Sequence, residues 1–190
     1  HIPSSIGTLR MSHDLLPPTF LFRFAVPCRH RRVVWDDTGA ALEPKFRIPC
    51  FGELEGKTQF ADVRAAWNRQ GLSLRVFVAG KTQMPWCRAT RADDSDGLHL
   101  WIDTRDTHNI HRASRYCHRF VFLPVGDGPQ FERPVALWLP INRAKDQPKQ
   151  MSAGLLPVRS QIQTDGYTLH AHVPAAALTG FDPAEHPRLG

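Results

Sequence analysis

The sequence predicts an all-β fold in which many short strands, joined by turns, form a sandwich or barrel. Three observations predict it. Apolar and polar residues alternate over several segments, the period of a strand with one buried face. The 16 Pro and 13 Gly are spread along the chain, as turns between short strands require. Finally, no segment sustains a helical period; only Pro174-Ala175-Ala176-Ala177-Leu178 starts like a short helix, with Pro in its first turn.

In order, Phe20, Phe22 and Phe24 alternate with Leu21 and Arg23 after the Pro17-Pro18 break and read as a first strand. Arg29 to Lys45 reads as polar, with a turn at Asp36-Asp37-Thr38-Gly39. Ile48 to Phe51 is a short extended piece, and Gly52 to Gly56 a turn. Phe60 to Trp67 reads as a strand with Val63, Ala65 and Trp67 on one face, or as a helical turn over Ala61 to Trp67. After the turn Asn68 to Gly71, Leu72, Leu74, Val76 and Val78 mark a strand, and Gly80 to Asp96 is a long loop. Leu98, Leu100 and Ile102 then alternate with His99, Trp101 and Asp103, and Arg119 to Pro124 is the next strand. Val135 to Ile141, Leu155 to Gln163 and Tyr167 to Val173 read as further strands, the last two flanking the turn Asp165-Gly166.

A chain of 190 residues, 42% of them hydrophobic, is large enough for one domain with a core that needs no staples. Residues 1–13 read as a tail or tag-like segment and 14–190 as a single β-sandwich domain. A start at Met11 would imply a cytoplasmic protein. No apolar run approaches the ~20 residues of a membrane-spanning helix, so no membrane partner is expected. Net charge is +6. Basic residues bunch at Arg29 to Arg32 and between Arg105 and Arg119, but acidic residues interleave and no nucleic-acid motif occurs. A solvated basic face is the favoured reading over a nucleic-acid partner. Cys28, Cys50, Cys87 and Cys117 show no C-x-x-C spacing, which excludes a zinc ribbon and a thioredoxin motif.

Several pieces, in order, carry a resemblance. They are Gly71 to Val78, Trp86 in a loop, Asp96-Gly97-Leu98-His99-Leu100-Trp101-Ile102-Asp103, and Gly166-Tyr167-Thr168-Leu169-His170-Ala171-His172-Val173-Pro174 followed by Leu178. From Phe60 onward the chain resembles the family 9 carbohydrate-binding modules and their DOMON-like relatives. The resemblance implies a two-sheet, jelly-roll-like β-sandwich, here without the C-terminal strands. It also implies a saccharide ligand, clamped in the family between two tryptophans; its members are often secreted. Trp86 matches the first clamp residue, and the second has no counterpart. His99 stands where the family has a glutamate that binds sugar hydroxyls, and Arg119 is nearest to a family arginine.

Each candidate residue has a plainer reading. Trp86 stacks on a ligand or caps the end of the sandwich; Trp101 lines a concave face or packs under a loop. Trp67 reads as core and Trp35 as a loop anchor. His99, Trp101, Arg119 and Trp86 form the expected ligand site. His108, His111, Cys117 and His118 offer a weaker, zinc-binding alternative, against which stands a polar loop whose arginines pair with Asp103 and Asp106. Asp93, Asp94 and Asp96 suit calcium or a simple turn. His170 and His172 share a strand face, either as ligands or as a solvated surface. Met84 is the sole methionine that could serve a haem of the kind DOMON-like relatives hold. No G-x-S-x-G, phosphate loop or H-E-x-x-H occurs. The expectation is a non-catalytic module that binds a saccharide, with a structural or protein-interaction sandwich, partnered by another domain or protein, as the alternative.

Overall fold

A computed structural model of the chain describes residues 23–52, 56–108, 111–149 and 152–190. The chain divides into two units. One includes, among the described residues, 23–25, 50–52 and 56–59. Within it the Phe24 and Phe51 rings stack at 4.0 Å, and the Lys57 N–H donates to the Gly52 carbonyl at 3.0 Å. The second unit, Val26–Pro49 with Phe60–Gly190, is an all-β sandwich. The strand expected at Phe20 to Phe24 lies largely outside the described residues. Phe24 itself is not in a strand.

The strands are β1 (Arg29–His30), β2 (Ala61–Asn68), β3 (Gly71–Val78), β4 (Leu98–Asp103), β5 (Cys117–Asp127), β6 (Arg133–Leu139), β7 (Val158–Gln163) and β8 (Gly166–Pro174). The larger sheet has the order β1-β2-β3-β8-β7 and the smaller β4-β5-β6. All pairings are antiparallel except β1 with β2. The segment from Ala61 is therefore a strand and not a helical turn. β5 runs on through Asp127, past the strand end expected at Pro124, with a shift of register between Leu123 and Asp127. The expected short helix is a single 3-10 turn, Ala175–Ala177. Among the described residues no helix is long and apolar enough to cross a membrane.

The period-2 pattern explains where the core sits. Leu72, Leu74, Val76 and Val78 of β3 and Tyr167, Leu169, Ala171 and Val173 of β8 face Ile102, Phe120 and Phe122 of the smaller sheet. Burying each large side chain contributes roughly 1.5–3 kcal/mol. Trp67 packs at the edge of this core, and its indole N–H donates to the Cys28 carbonyl at 2.9 Å.

The two outer faces are partly covered as well. Val34, Ala40, Leu42 and Phe46 pack with Ala66 on the far side of the larger sheet. The stretch Arg29 to Lys45, read as a polar loop, thus carries a small second core. It also overturns the solvated reading of His170 and His172. His172 is buried, its Nδ1 lies 2.7 Å from Ser73 Oγ, and its ring stacks on Trp35 at 5.9 Å. Gly39, at φ +91°, lies against His170, where an added Cβ would come within 2.9 Å of Nδ1. On the smaller sheet, Cys87 and Ala92 cover Val121 and Leu123.

Candidate functional site

The exposed part of the smaller sheet's outer face is built by the β4–β5 hairpin. In β4, Leu98, Leu100 and Ile102 turn to the core, so His99, Trp101 and Asp103 turn outward. In β5 the same alternation sends Phe120 and Phe122 inward and Arg119, Val121 and Leu123 outward. The register sets Trp101 directly opposite Arg119 and His99 opposite Val121. Three of the four expected ligand residues therefore share one face. Trp101 is 55% exposed, and the Arg119 guanidinium carbon lies 4.9 Å from its ring centroid.

Trp86 is brought to the same face by the segment that covers it. Its backbone N–H donates to Asp96 Oδ2 at 2.8 Å, and the Asp96 N–H returns a bond to the Trp86 carbonyl at 2.9 Å. Lys81 Nζ lies 3.0 Å from the other Asp96 oxygen. Next in sequence, the buried Cys87 anchors the segment and donates through Sγ to the Asp96 carbonyl at 3.2 Å. Burial pushes the Cys87 thiol above its ordinary pKa, in keeping with a side chain packed against the sheet. A short 3-10 stretch, Ala89–Asp94, then carries Asp93 to an ion pair with Arg119.

Arginines line this surface. Arg88 and Arg91 lie 5.6 and 5.3 Å from the Trp86 ring centroid, and Arg88 also lies 4.4 Å from Phe131. Trp86 and Phe131 are 43% and 47% exposed. Arg88, Arg91 and Phe131 were not singled out from the sequence. Each is an ordinary loop or turn residue there, and only the fold places it beside a tryptophan.

The weaker sets come apart. His118 points into the sandwich, 1% exposed, with Phe120 and Trp138 each 5.8 Å from its ring. Neither of its nitrogens has a hydrogen-bonding partner among the described residues, although the Thr179 backbone lies nearby. Burial holds the imidazole below its ordinary pKa. Cys117, a neighbour in sequence, projects to the opposite face. His108 lies 3.3 Å from Asp106, and His111 belongs to another surface with Arg112, Asn142 and Arg143. The loop arginines do not pair with Asp103 and Asp106 as expected. Asp103 accepts the backbone N–H groups of Arg105 and Thr107, at 2.9 and 2.8 Å. Arg105 and Arg115 lie over the Tyr116 ring, and Arg112 donates to the carbonyls of Arg143 and Ala144.

Asp93, Asp94 and Asp96 pair with different cations: Arg119, Arg91 and Lys81. Among the described residues no three or more His, Cys, Asp or Glu side chains are gathered where they could hold a metal ion. Met84 is exposed, and all four cysteines are free thiols. Comparison with protein-family models, with curated proteins and with solved structures found no match to this chain.

Proposed function

We propose that this chain is a non-catalytic carbohydrate-binding β-sandwich module that takes a saccharide on the outer face of its smaller sheet. The observation that carries the reading is the Trp101–Arg119 pair. A half-exposed indole is fixed on a strand, with a guanidinium across its ring and an ion pair holding that guanidinium. A flat ring of this kind offers the C–H face of a sugar a large contact area at small entropic cost. His99 lies on the same strand face about 7 Å away, close enough to hydrogen-bond hydroxyls of the same ring. Trp86, on the covering segment, supplies a second aromatic edge. The resemblance to family 9 carbohydrate-binding modules points the same way through Trp86, His99 and Arg119.

The energetics favour weak binding. Stacking on one ring adds roughly 1 kcal/mol beyond area burial, against an association cost of several kcal/mol. Millimolar dissociation constants are expected for monosaccharides, with tighter binding of oligosaccharides long enough to reach both Trp101 and Trp86. Calorimetric titration against mono-, di- and oligosaccharides tests this. Affinity that rises with chain length supports the proposal; no heat with any member of a broad panel contradicts it.

A further inference from the structure

The opposite sheet carries a feature that saccharide binding does not use. Arg64 on β2, Arg75 on β3, His170 on β8 and Arg159 on β7 are register partners in turn. They form one row across adjacent strands on the outer face, with Cα atoms about 5 Å apart. Arg47 extends it, bridged to Arg64. Like charges directly opposite one another on neighbouring strands repel, so such a row needs counter-charge.

Half of the row has it. The Asp62 carboxylate meets Arg47 at 2.5 Å and Arg64 at 2.8 Å. These two guanidinium groups hold the Asp62 carboxyl down to about 2, against the pull of partial burial. In the other half the counter-charge is felt only at a distance, Asp62 acting on Arg75 and Asp36 on Arg159 and His170. Arg75 and Arg159 form no ion pair with any described residue. His170 lies between them. Asp36, the carboxylate that acts on Arg159 and His170, accepts the backbone N–H and hydroxyl of Thr38, at 2.7 and 2.5 Å.

Arg159 and His170, which have no direct ion pair, line a groove of about 370 Å³ together with Thr38, Pro134, Ser160 and Gln161. That volume suits a small molecule. An arginine fork, an imidazole and an amide are the donor set for a tetrahedral oxyanion. We propose that this groove binds a small molecule through a phosphate or sulfate group, held by Arg159 and His170 with Arg75 as the neighbouring charge.

The test is calorimetric titration of the whole chain with inorganic sulfate, inorganic phosphate, glucose 6-phosphate and glucose, at constant ionic strength in chloride. Saturable binding of the oxyanions is expected, with no binding of glucose that depends on Arg159. Arg159→Gln, on an exposed strand edge, should weaken oxyanion binding at least tenfold and leave the fold intact. Arg75→Gln should weaken it a few-fold, and Trp101→Ala should leave it unchanged, which separates this site from the saccharide face. Equal affinity for phosphate and glucose 6-phosphate would make the free ion the ligand; tighter binding of glucose 6-phosphate would make it a phosphorylated molecule. The proposal is overturned if chloride matches sulfate, if Arg159→Gln binds like the parent, or if single-stranded oligonucleotides bind with an affinity that climbs with length.

Discussion

Arg119 stands directly across the β4–β5 ladder from Trp101, its guanidinium carbon 4.9 Å from the ring centroid and its Nη2 paired with Asp93. Asp93 is largely exposed, and an ion pair with an exposed partner contributes little to stability. Its role is to hold the guanidinium in place. Asp93→Asn should leave the thermal midpoint within about 2 °C of the parent, the shift expected of a change near 0.5 kcal/mol. Saccharide affinity should fall a few-fold. A large drop in the midpoint with unchanged affinity would assign the pair to the fold instead.

The Ser73–His172 hydrogen bond is buried between β3 and the covering segment under Trp35. Ser73→Ala removes one partner and leaves an imidazole nitrogen buried without a bond, at a cost of about 1–3 kcal/mol. Urea unfolding should show a lower midpoint with an unchanged slope. A double-mutant cycle with His172→Phe should show coupling between the two sites. Additive effects would mean that the contact contributes nothing of its own.

Gly39 permits the covering segment to lie on His170. Its φ of +91° and the 2.9 Å approach of an added Cβ to His170 Nδ1 both oppose a side chain. Gly39→Ala should cost about 1–3 kcal/mol through strain and displacement. A thermal melt that matches the parent would show that the turn Asp36–Gly39 is free to move.

Burial holds His118, His170 and His172 below the ordinary histidine value of 6.5; for His170 the charges of Arg75 and Arg159 add to it and Asp36 opposes it. Between the folded and unfolded values the unfolded chain binds more protons, so stability rises with pH there. The contribution is complete above about pH 6.5 and is lost as pH falls from there through the lower folded values. Asp62, held at about 2 against 3.8, adds a separate loss as pH falls below about 4. Urea midpoints should be flat from pH 8 to 7 and then decline towards pH 5. His118→Phe should flatten that decline. A decline that begins only below pH 4 would contradict this account.

How much of this was legible in the sequence differs from element to element. β3, β4 and β8 each carry an uninterrupted period of two, and the turns at Asn68 to Gly71 and Asp165-Gly166 pin their hairpins. The outward phase of His99 and Trp101 followed from the same alternation. His118 was within reach too, because Phe120 and Phe122 fix its phase inward; its neighbours in a polar loop masked the signal. The cover formed by Val34, Ala40, Leu42 and Phe46 was not legible, because its apolar residues follow no period and find their partners through long-range contacts. Nor was the row from Arg64 to Arg159. It exists only because β8 inserts between β3 and β7, an order that no local pattern encodes. The Trp101–Arg119 pairing likewise depends on the register of a hairpin whose connection is too long to set it.

The measurement that bears most directly on the account is saccharide binding by Trp101→Ala. Trp101 is on a strand surface, half exposed, so its truncation should leave the far-ultraviolet circular dichroism spectrum and the thermal midpoint close to those of the parent. Calorimetry with the tightest oligosaccharide found should then show affinity reduced about fivefold to tenfold, the loss of roughly 1 kcal/mol of stacking. A folded Trp101→Ala variant that binds the same oligosaccharide as tightly as the parent would contradict the assignment of this face as the saccharide site.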